Sequence, residues 1–359
     1  MNRIIDLLRD RIHLKCNRFD MLDLDGASSS EWDENEPPED IPFEAPQPKK
    51  TYCDIGSLSA PIGDPLFRFF IDGSRKIYRV ADMEHNGRHF PLIAAQVGVA
   101  VCERNRGKYG GTGMKPVPNA SQLINALVLP RLIGDGDVET IRAELANLPW
   151  GSFEVIRYNF KDKANPLDLA AAVVMKRMHD MEVKAASDLA QAGALNDAML
   201  VLDGSLNFIS QKFDIGDFRN VIGIAKRFKP DFVVGKRRKN SVGTVVEHLD
   251  RGQRTIVYKR TSGRSTLGSW FLRLRPRERV QGSLGGVVKL ELFALEEADR
   301  ENGFDSGRIN NISQQVFAER NVTPFGADER WATHLYPMFL TEKYMKSQFM
   351  SPVAFRGLF

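Results

Sequence analysis

The chain has 359 residues, a formal net charge of +4, and 42% hydrophobic against 27% charged residues. That apolar content suffices for one large domain or two small ones, and the net charge is too mild to name a nucleic-acid partner by itself. Cys16, Cys53 and Cys102 are widely spaced and form no CxxC pair, which argues against a disulfide framework and a zinc site and for free thiols. The opening MNRIIDLLRDRI carries charges throughout. No stretch approaches the roughly 18–20 apolar residues of a membrane span, so the expectation is a soluble cytoplasmic protein with no membrane partner.

Residues 2 to 14 read as an amphipathic helix, with Ile4, Ile5, Leu8 and Ile12 at helical spacing. Its stripe either packs on the protein's own body or docks a partner. Residues 26–50 break the pattern: acidic from Glu31 to Asp40, then carrying Pro42, Pro46 and Pro48. Such a segment buries too little surface to fold and reads as a flexible acidic arm. The expected division is therefore 1–50, helix and linker, and 51–359, the globular part.

In the globular part, Leu66–Ile71 reads as a strand, with further strands at 76–82 and 92–102 and a glycine-rich loop at Gly107–Gly113. Ser121–Leu127 and Gly136–Leu148 look helical. A longer helix is predicted from Pro166 to Gln191, with Asn165 as N-cap and proline at the first helical position. Strands are predicted at 198–202, 220–225, 255–258, 270–274 and 287–293, and helices at 309–319 and 337–349. No repeat of 20–50 residues is visible. Strands first, then helix–strand alternation, predict an α/β fold with a mixed sheet flanked by helices.

One phrase occurs twice. Phe70-Ile71-Asp72-Gly73-Ser74 and Val201-Leu202-Asp203-Gly204-Ser205-Leu206 each carry an apolar strand into aspartate, glycine and serine. Glycine permits a reversal just past the strand and leaves the aspartate at its carboxyl end. Asp-Gly alone is a common turn dipeptide. Two such carboxylates on neighbouring strand ends repel unless a cation sits between them, which points to a magnesium or manganese site. Glu182 lies within the Met178, Met181, Ala185, Leu189 stripe of the long helix. A glutamate on a buried helix face needs a partner, either an Arg or Lys or a metal.

From Lys226 to Gln281 there are sixteen Lys and Arg against four acids, with Tyr258, Trp270 and Phe271 interleaved. A phosphate-tracking surface is expected there, carried by Lys236, Arg237, Arg238, Lys239, Arg260, Arg264 and Arg273. Lys226 ends an apolar strand and is placed to reach a phosphate beside the acids. His334 precedes Tyr336-Pro337 near the last helix; His85, His89, His179 and His248 show no ligand spacing. There is no GxxxxGK[ST] phosphate loop.

In this order the residues resemble the NurA nuclease family over roughly residues 66 to 345. The resemblance runs through both Asp-Gly-Ser phrases, Met181-Glu182, Gly223-Ile224-Ala225-Lys226, Trp270–Leu274, Val287–Phe293 and Tyr336–Leu340. It implies an RNase H-like fold, a homodimer and Mn²⁺- or Mg²⁺-dependent cleavage of single- and double-stranded DNA. It also implies partnership with a HerA-type hexameric ATPase, in end resection at double-strand breaks or in phage defence. By carry-over, Asp72, Glu182 and Asp203 are metal ligands. The family often has a metal-proximal histidine in its last helix; LTEKYMKSQF has none, and Glu342 or His334 is the candidate substitute. The acidic arm is no part of the resemblance.

The implied mechanism is two-metal phosphodiester hydrolysis, with Asp72 bridging ions roughly 3.5–4 Å apart, Asp203 and Glu182 completing the coordination and Lys226 offsetting phosphate charge. The competing expectations are a non-catalytic DNA-binding adaptor that loads a translocase motor, and a nuclease directed at RNA.

Overall fold

A computed structural model gives the fold. It describes residues 4–24, 41–56, 58, 64–106, 112–148, 153–161, 164–206, 213–228, 233–234, 240–262, 265–320 and 332–359. Most of the acidic arm, most of the Gly107–Gly113 loop, the Lys236–Lys239 run and Arg264 lie outside the described residues. No helix of the described residues is long and apolar enough to cross a membrane.

Thirteen strands form one mixed sheet. In chain order they are β1 (Lys15–Asp23), β2 (Tyr52–Asp54), β3 (Phe67–His85), β4 (Arg88–Arg106), β5 (Thr112–Pro116), β6 (Gln122–Pro130) and β7 (Phe153–Tyr158). There follow β8 (Met199–Asp203), β9 (Val221–Ala225), β10 (Gln253–Thr255), β11 (Tyr258–Ser262), β12 (Ser265–Arg273) and β13 (Val287–Phe293). The helices are α1 (Ile4–Ile12), α2 (Asp135–Ala146), α3 (Pro166–Gln191), α4 (Val242–His248), α5 (Glu297–Asn302), α6 (Ser306–Ala318), α7 (Tyr336–Ser347) and α8 (Pro352–Arg356). The sheet order is β2-β10-β12-β13-β9-β8-β3-β4-β6-β7, with β1 on β3, β5 on β4 and β11 on β12. Strand β8 runs parallel to β3 and β9, and β6 parallel to β7.

The mixed α/β sheet flanked by helices is as the sequence predicts. Helix α3 spans the predicted residues: Asn165 Oδ1 accepts from the Leu167 N–H at 3.1 Å and Pro166 sits in the first turn. Its Val174, Met181, Ala185 and Leu189 pack on Phe69, Ile71 and Val99. On the opposite face, Phe70 and Val201 pack with Ile312, Val316 and Met338 of α6 and α7. Period-two alternation along β3 therefore turns Ile71 and Gly73 toward α3, and Phe70 and Asp72 toward α7. The glycines agree: a Cβ on Gly73 would meet Met178 Cγ of α3 at 2.7 Å, and one on Gly98, beside Ser74, would meet Met345 Cε of α7 at 2.5 Å.

Four expectations change. Residues 122–130 are strand, not helix, because Ala126–Leu129 are buried between two strand neighbours, and pairing on both edges overrides the helical propensity of Gln, Leu and Ala. Strands β3 and β4 form a hairpin of two 19-residue strands, so Asp72-Gly73-Ser74 lies inside a strand rather than at its end. The amino-terminal stripe packs on the body: Ile4, Ile5, Leu7 and Leu8 are buried with Phe355 and Leu358. The boundary at residue 50 does not divide the sheet, since β1 precedes it and pairs with β3. All three cysteines are free.

The chain returning from the acidic arm is pinned at Glu44, whose carboxylate and the Arg254 guanidinium are both fully buried. Arg254 Nη1 and Nη2 donate to it at 3.0 and 2.5 Å, and the Val257 N–H at 3.0 Å. Burial pushes the Glu44 carboxyl up, but Arg254, Ser306 and Val257 outweigh it and hold it below the usual range. Glu44→Ala leaves a buried, unanswered guanidinium and is expected to lose about 3–5 kcal/mol in urea unfolding. Glu44→Leu combined with Arg254→Met should lose far less; equal losses would show that the pair itself, not the orphaned charge, sets the cost.

Candidate functional site

Parallel register brings the two phrases together. Phe70 pairs with Val201 and Ile71 with Leu202, so Asp72 and Asp203 stand next to one another on adjacent strands. Strand β8 ends at Asp203 and turns through Gly204, whose φ of +123° suits glycine. Strand β3 runs on, and β1 takes up the same edge from Tyr78. Among the described residues, 72–76 therefore have a strand neighbour only on the β4 side. The result is a notch in the sheet beside Asp72.

Acids enter the notch from both faces. Glu182 of α3 is 2% exposed and accepts from the backbone N–H of Gly73. A methyl on Gly73 would collide with its Oε1, so glycine here makes room for the carboxylate. Its other oxygen, Oε2, lies 2.8 Å from His179 Nδ1. From the opposite face, α7 brings Glu342 into the field of Asp72 and Lys226. Lys226, just past β9, puts its ammonium 2.6 Å from Asp203 Oδ2.

Electrostatics single out Asp72. Burial, then Asp203, with Glu342 and Glu182 adding, push its carboxyl well above the usual range against the pull of Lys226. Its Oδ2 is buried and has no hydrogen-bond partner. Glu182 is raised too, by burial first and by Asp203, against the hydrogen bond and charge of His179 and the Gly73 N–H. Burial pulls the Lys226 ammonium down, yet Asp203 and Asp72 more than compensate and raise it. Four carboxylates thus face one ammonium, an imbalance that a proton or a cation must answer.

The turn after Asp203 is held from behind. Ser205 Oγ donates to Glu291 Oε2 at 2.5 Å and the Leu206 N–H to the same oxygen at 2.8 Å. Arg260 Nη1 and Lys289 Nζ contact Glu291 Oε1 at 3.0 and 2.9 Å, all within the core. Burial would raise Glu291, but Lys289, Arg260 and Ser205 bring its carboxyl to about 2.

The sequence-derived residues separate as follows. Asp72, Glu182, Asp203 and Lys226 come together. Among the described residues, no three His, Cys, Asp or Glu side chains are already grouped to hold one ion. His334 is buried where α7 begins, its ring edge-on to Phe339 at 6.3 Å, and the acid that α7 presents to Asp72 is Glu342, eight residues on. Arg260 and Arg273 are 1% and 0% exposed and do not form a phosphate-tracking surface. Arg260 answers Glu291, and Arg273 donates to the carbonyls of Gly285 and Ser283 at 2.9 Å and of Val246 at 3.1 Å. Counting basic residues along the chain does not reveal that these two point inward. His179, which fixes Glu182, is the residue sequence reasoning missed; its signal was the three-residue spacing on one helix face. No protein-family model matches the chain, and no curated protein matches it.

Because Glu291 is depressed from 4.5 to about 2, it contributes stability above about pH 4.5 that disappears as pH falls toward 2. Glu291→Gln is expected to lose on the order of 3 kcal/mol at neutral pH. Its stability should also fall less steeply than that of wild type between pH 5 and pH 3 in denaturant titrations. Parallel declines would remove Glu291 from this role.

Proposed function

We propose that the chain is a divalent-metal-dependent nuclease on an RNase H-like sheet, cutting DNA at the notch around Asp72. The observation that carries this reading is the set of four carboxylates answered by the single ammonium of Lys226, with the buried Asp72 Oδ2 left without a hydrogen bond. An all-oxygen donor set suits a hard cation such as Mg²⁺ or Mn²⁺. Asp72, Asp203, Glu182 and Glu342 would hold it. The ion supplies Lewis acidity to the phosphodiester and an activated water.

The chain's own groups have distinct tasks. Asp203 has to leave Lys226 to take up a cation, which frees the ammonium for charge developing on the phosphate. His179 and the Gly73 N–H fix the two oxygens of Glu182. Glu291 fixes the turn that aims Asp203. The partners implied by the NurA resemblance, a second copy of the chain and a HerA-type hexameric ATPase, belong to the same proposal, as does a role in end resection or phage defence.

Labelled linear single- and double-stranded DNA should be cut with Mn²⁺ or Mg²⁺ and not with EDTA. Asp72→Ala and Asp203→Ala should abolish cutting and leave DNA binding largely intact. Retained cleavage in both variants, or silence of the wild type even with a HerA-type ATPase added, would overturn the proposal; binding without cutting is the adaptor outcome. Mn²⁺ should also raise the unfolding temperature of wild type and not of Asp203→Ala.

Gly73→Ala tests the notch itself. The methyl displaces Glu182, and cleavage should fall by about a hundredfold while the unfolding temperature changes little. Wild-type rates in this variant would show that Glu182 is not needed where the structure puts it.

A further inference from the structure

The acid notch is poor in cations, and the basic residues picked out by sequence are buried or outside the described residues. A polymer substrate needs another contact surface. At the junction of α6 and α7, Arg320 stacks on Phe317 with Cζ 4.1 Å from the ring centroid, and Arg251 lies over the same ring at 5.4 Å. Arg275 joins them, its Nε donating to the Ala332 carbonyl at 3.4 Å. Burial first, then the charges of Arg320 and Arg251, push the Arg275 guanidinium down to about 10. Three guanidiniums gathered closely enough to repel one another form an anion-attracting surface.

The junction leads directly into α7. Arg320 bridges to Leu335, and the Tyr336 N–H donates to the Glu319 carbonyl at 2.8 Å. Tyr336 is a large aromatic side chain left 49% exposed. It stacks on Phe339 with centroids 6.5 Å apart and planes inclined by 26°, and the Lys343 ammonium lies 4.8 Å from the Phe339 centroid. Tyr336, Phe339 and Lys343 share one helical face. Glu342 flanks that face, about 9 Å along the helix axis from Tyr336. Arginines, then exposed aromatics, then lysine, ending beside the acids, is the order of groups that a single strand of nucleic acid requires.

We infer that the α6–α7 junction and the outer face of α7 form a track for single-stranded DNA, on which Tyr336 stacks a base and Arg251 and Arg320 take backbone phosphates. The inference rests on the nuclease reading for where the strand leads. The track delivers the strand to the notch along α7.

The test uses the full chain in EDTA, with fluorescence anisotropy of a labelled oligothymidylate and an abasic oligomer of equal length. Wild type should prefer the oligothymidylate by about tenfold or more. Tyr336→Ala should lose that preference and Tyr336→Phe should keep it. Arg251→Ala with Arg320→Ala should weaken both oligomers alike and flatten the salt dependence. Equal binding of the two oligomers by wild type, which depends on no variant, would overturn the track, as would an unchanged preference in Tyr336→Ala. A fall in the sedimentation mass of Tyr336→Ala would also overturn it, marking the face as a protein interface. Metal-dependent cleavage by wild type, assayed alongside, separates the two ideas: cutting without base preference sinks the track alone, and neither cutting nor binding sinks both.

Discussion

The register between β3 and β8 is the constraint on which the site depends. Because Ile71 pairs with Leu202, Asp72 and Asp203 are forced side by side on one face of a buried sheet. A slip of one residue would turn Asp72 toward α3 and Phe70 out of the α6–α7 core. The apolar side chains of Phe70, Ile71, Val201 and Leu202, each divided correctly between the two faces, fix the register that the aspartates alone would resist. Hydrophobic burial holds two like charges together, and their repulsion remains to be answered.

The surroundings are satisfied and the centre is not. Behind Asp203, Glu291 takes hydrogen bonds from Ser205 and Leu206 and is itself matched by Arg260 and Lys289. Behind Glu182, His179 and the Gly73 N–H occupy both oxygens. Only Asp72 keeps a buried oxygen without a hydrogen bond. A fold that satisfies the neighbours of a carboxylate and leaves the carboxylate itself wanting has organised it for something other than stability.

How much of this was legible in sequence follows from the range of the forces involved. Helix α3 was legible to the residue, because its N-cap and first-turn proline are local signals. The turn at Gly204 was legible for the same reason. The same Asp-Gly-Ser phrase at 72–74 was not, since whether glycine turns or continues is decided by the strand beside it, and Gly73 is paired with Val99 of β4. Glycine there makes room for a carboxylate arriving from a helix more than a hundred residues later. Residues 122–130 failed likewise, where two strand neighbours overruled helical propensity. Asp72, Glu182, Asp203 and Lys226 were found because buried charge in an apolar setting is visible in the sequence. Glu342 was left as one of two candidates because no local pattern says which face of α7 meets the sheet.

Basic residues show the same divide between composition and direction. Arg254, Arg260 and Arg273 are all but fully buried, and each meets carboxylates or carbonyls. Their charge serves the fold, however densely basic the segment reads. Arg251, Arg275 and Arg320 differ in the sign of their surroundings: the charge acting on Arg275 is that of other arginines. An arginine facing an acid is part of the structure's internal balance, whereas arginines facing one another leave positive potential directed outward. By that criterion the surface suited to a polyanion lies where α6 hands the chain to α7, and α7 is also the helix that carries Glu342 toward Asp72. One helix thereby links the positive potential that gathers a strand to the negative potential that needs a cation.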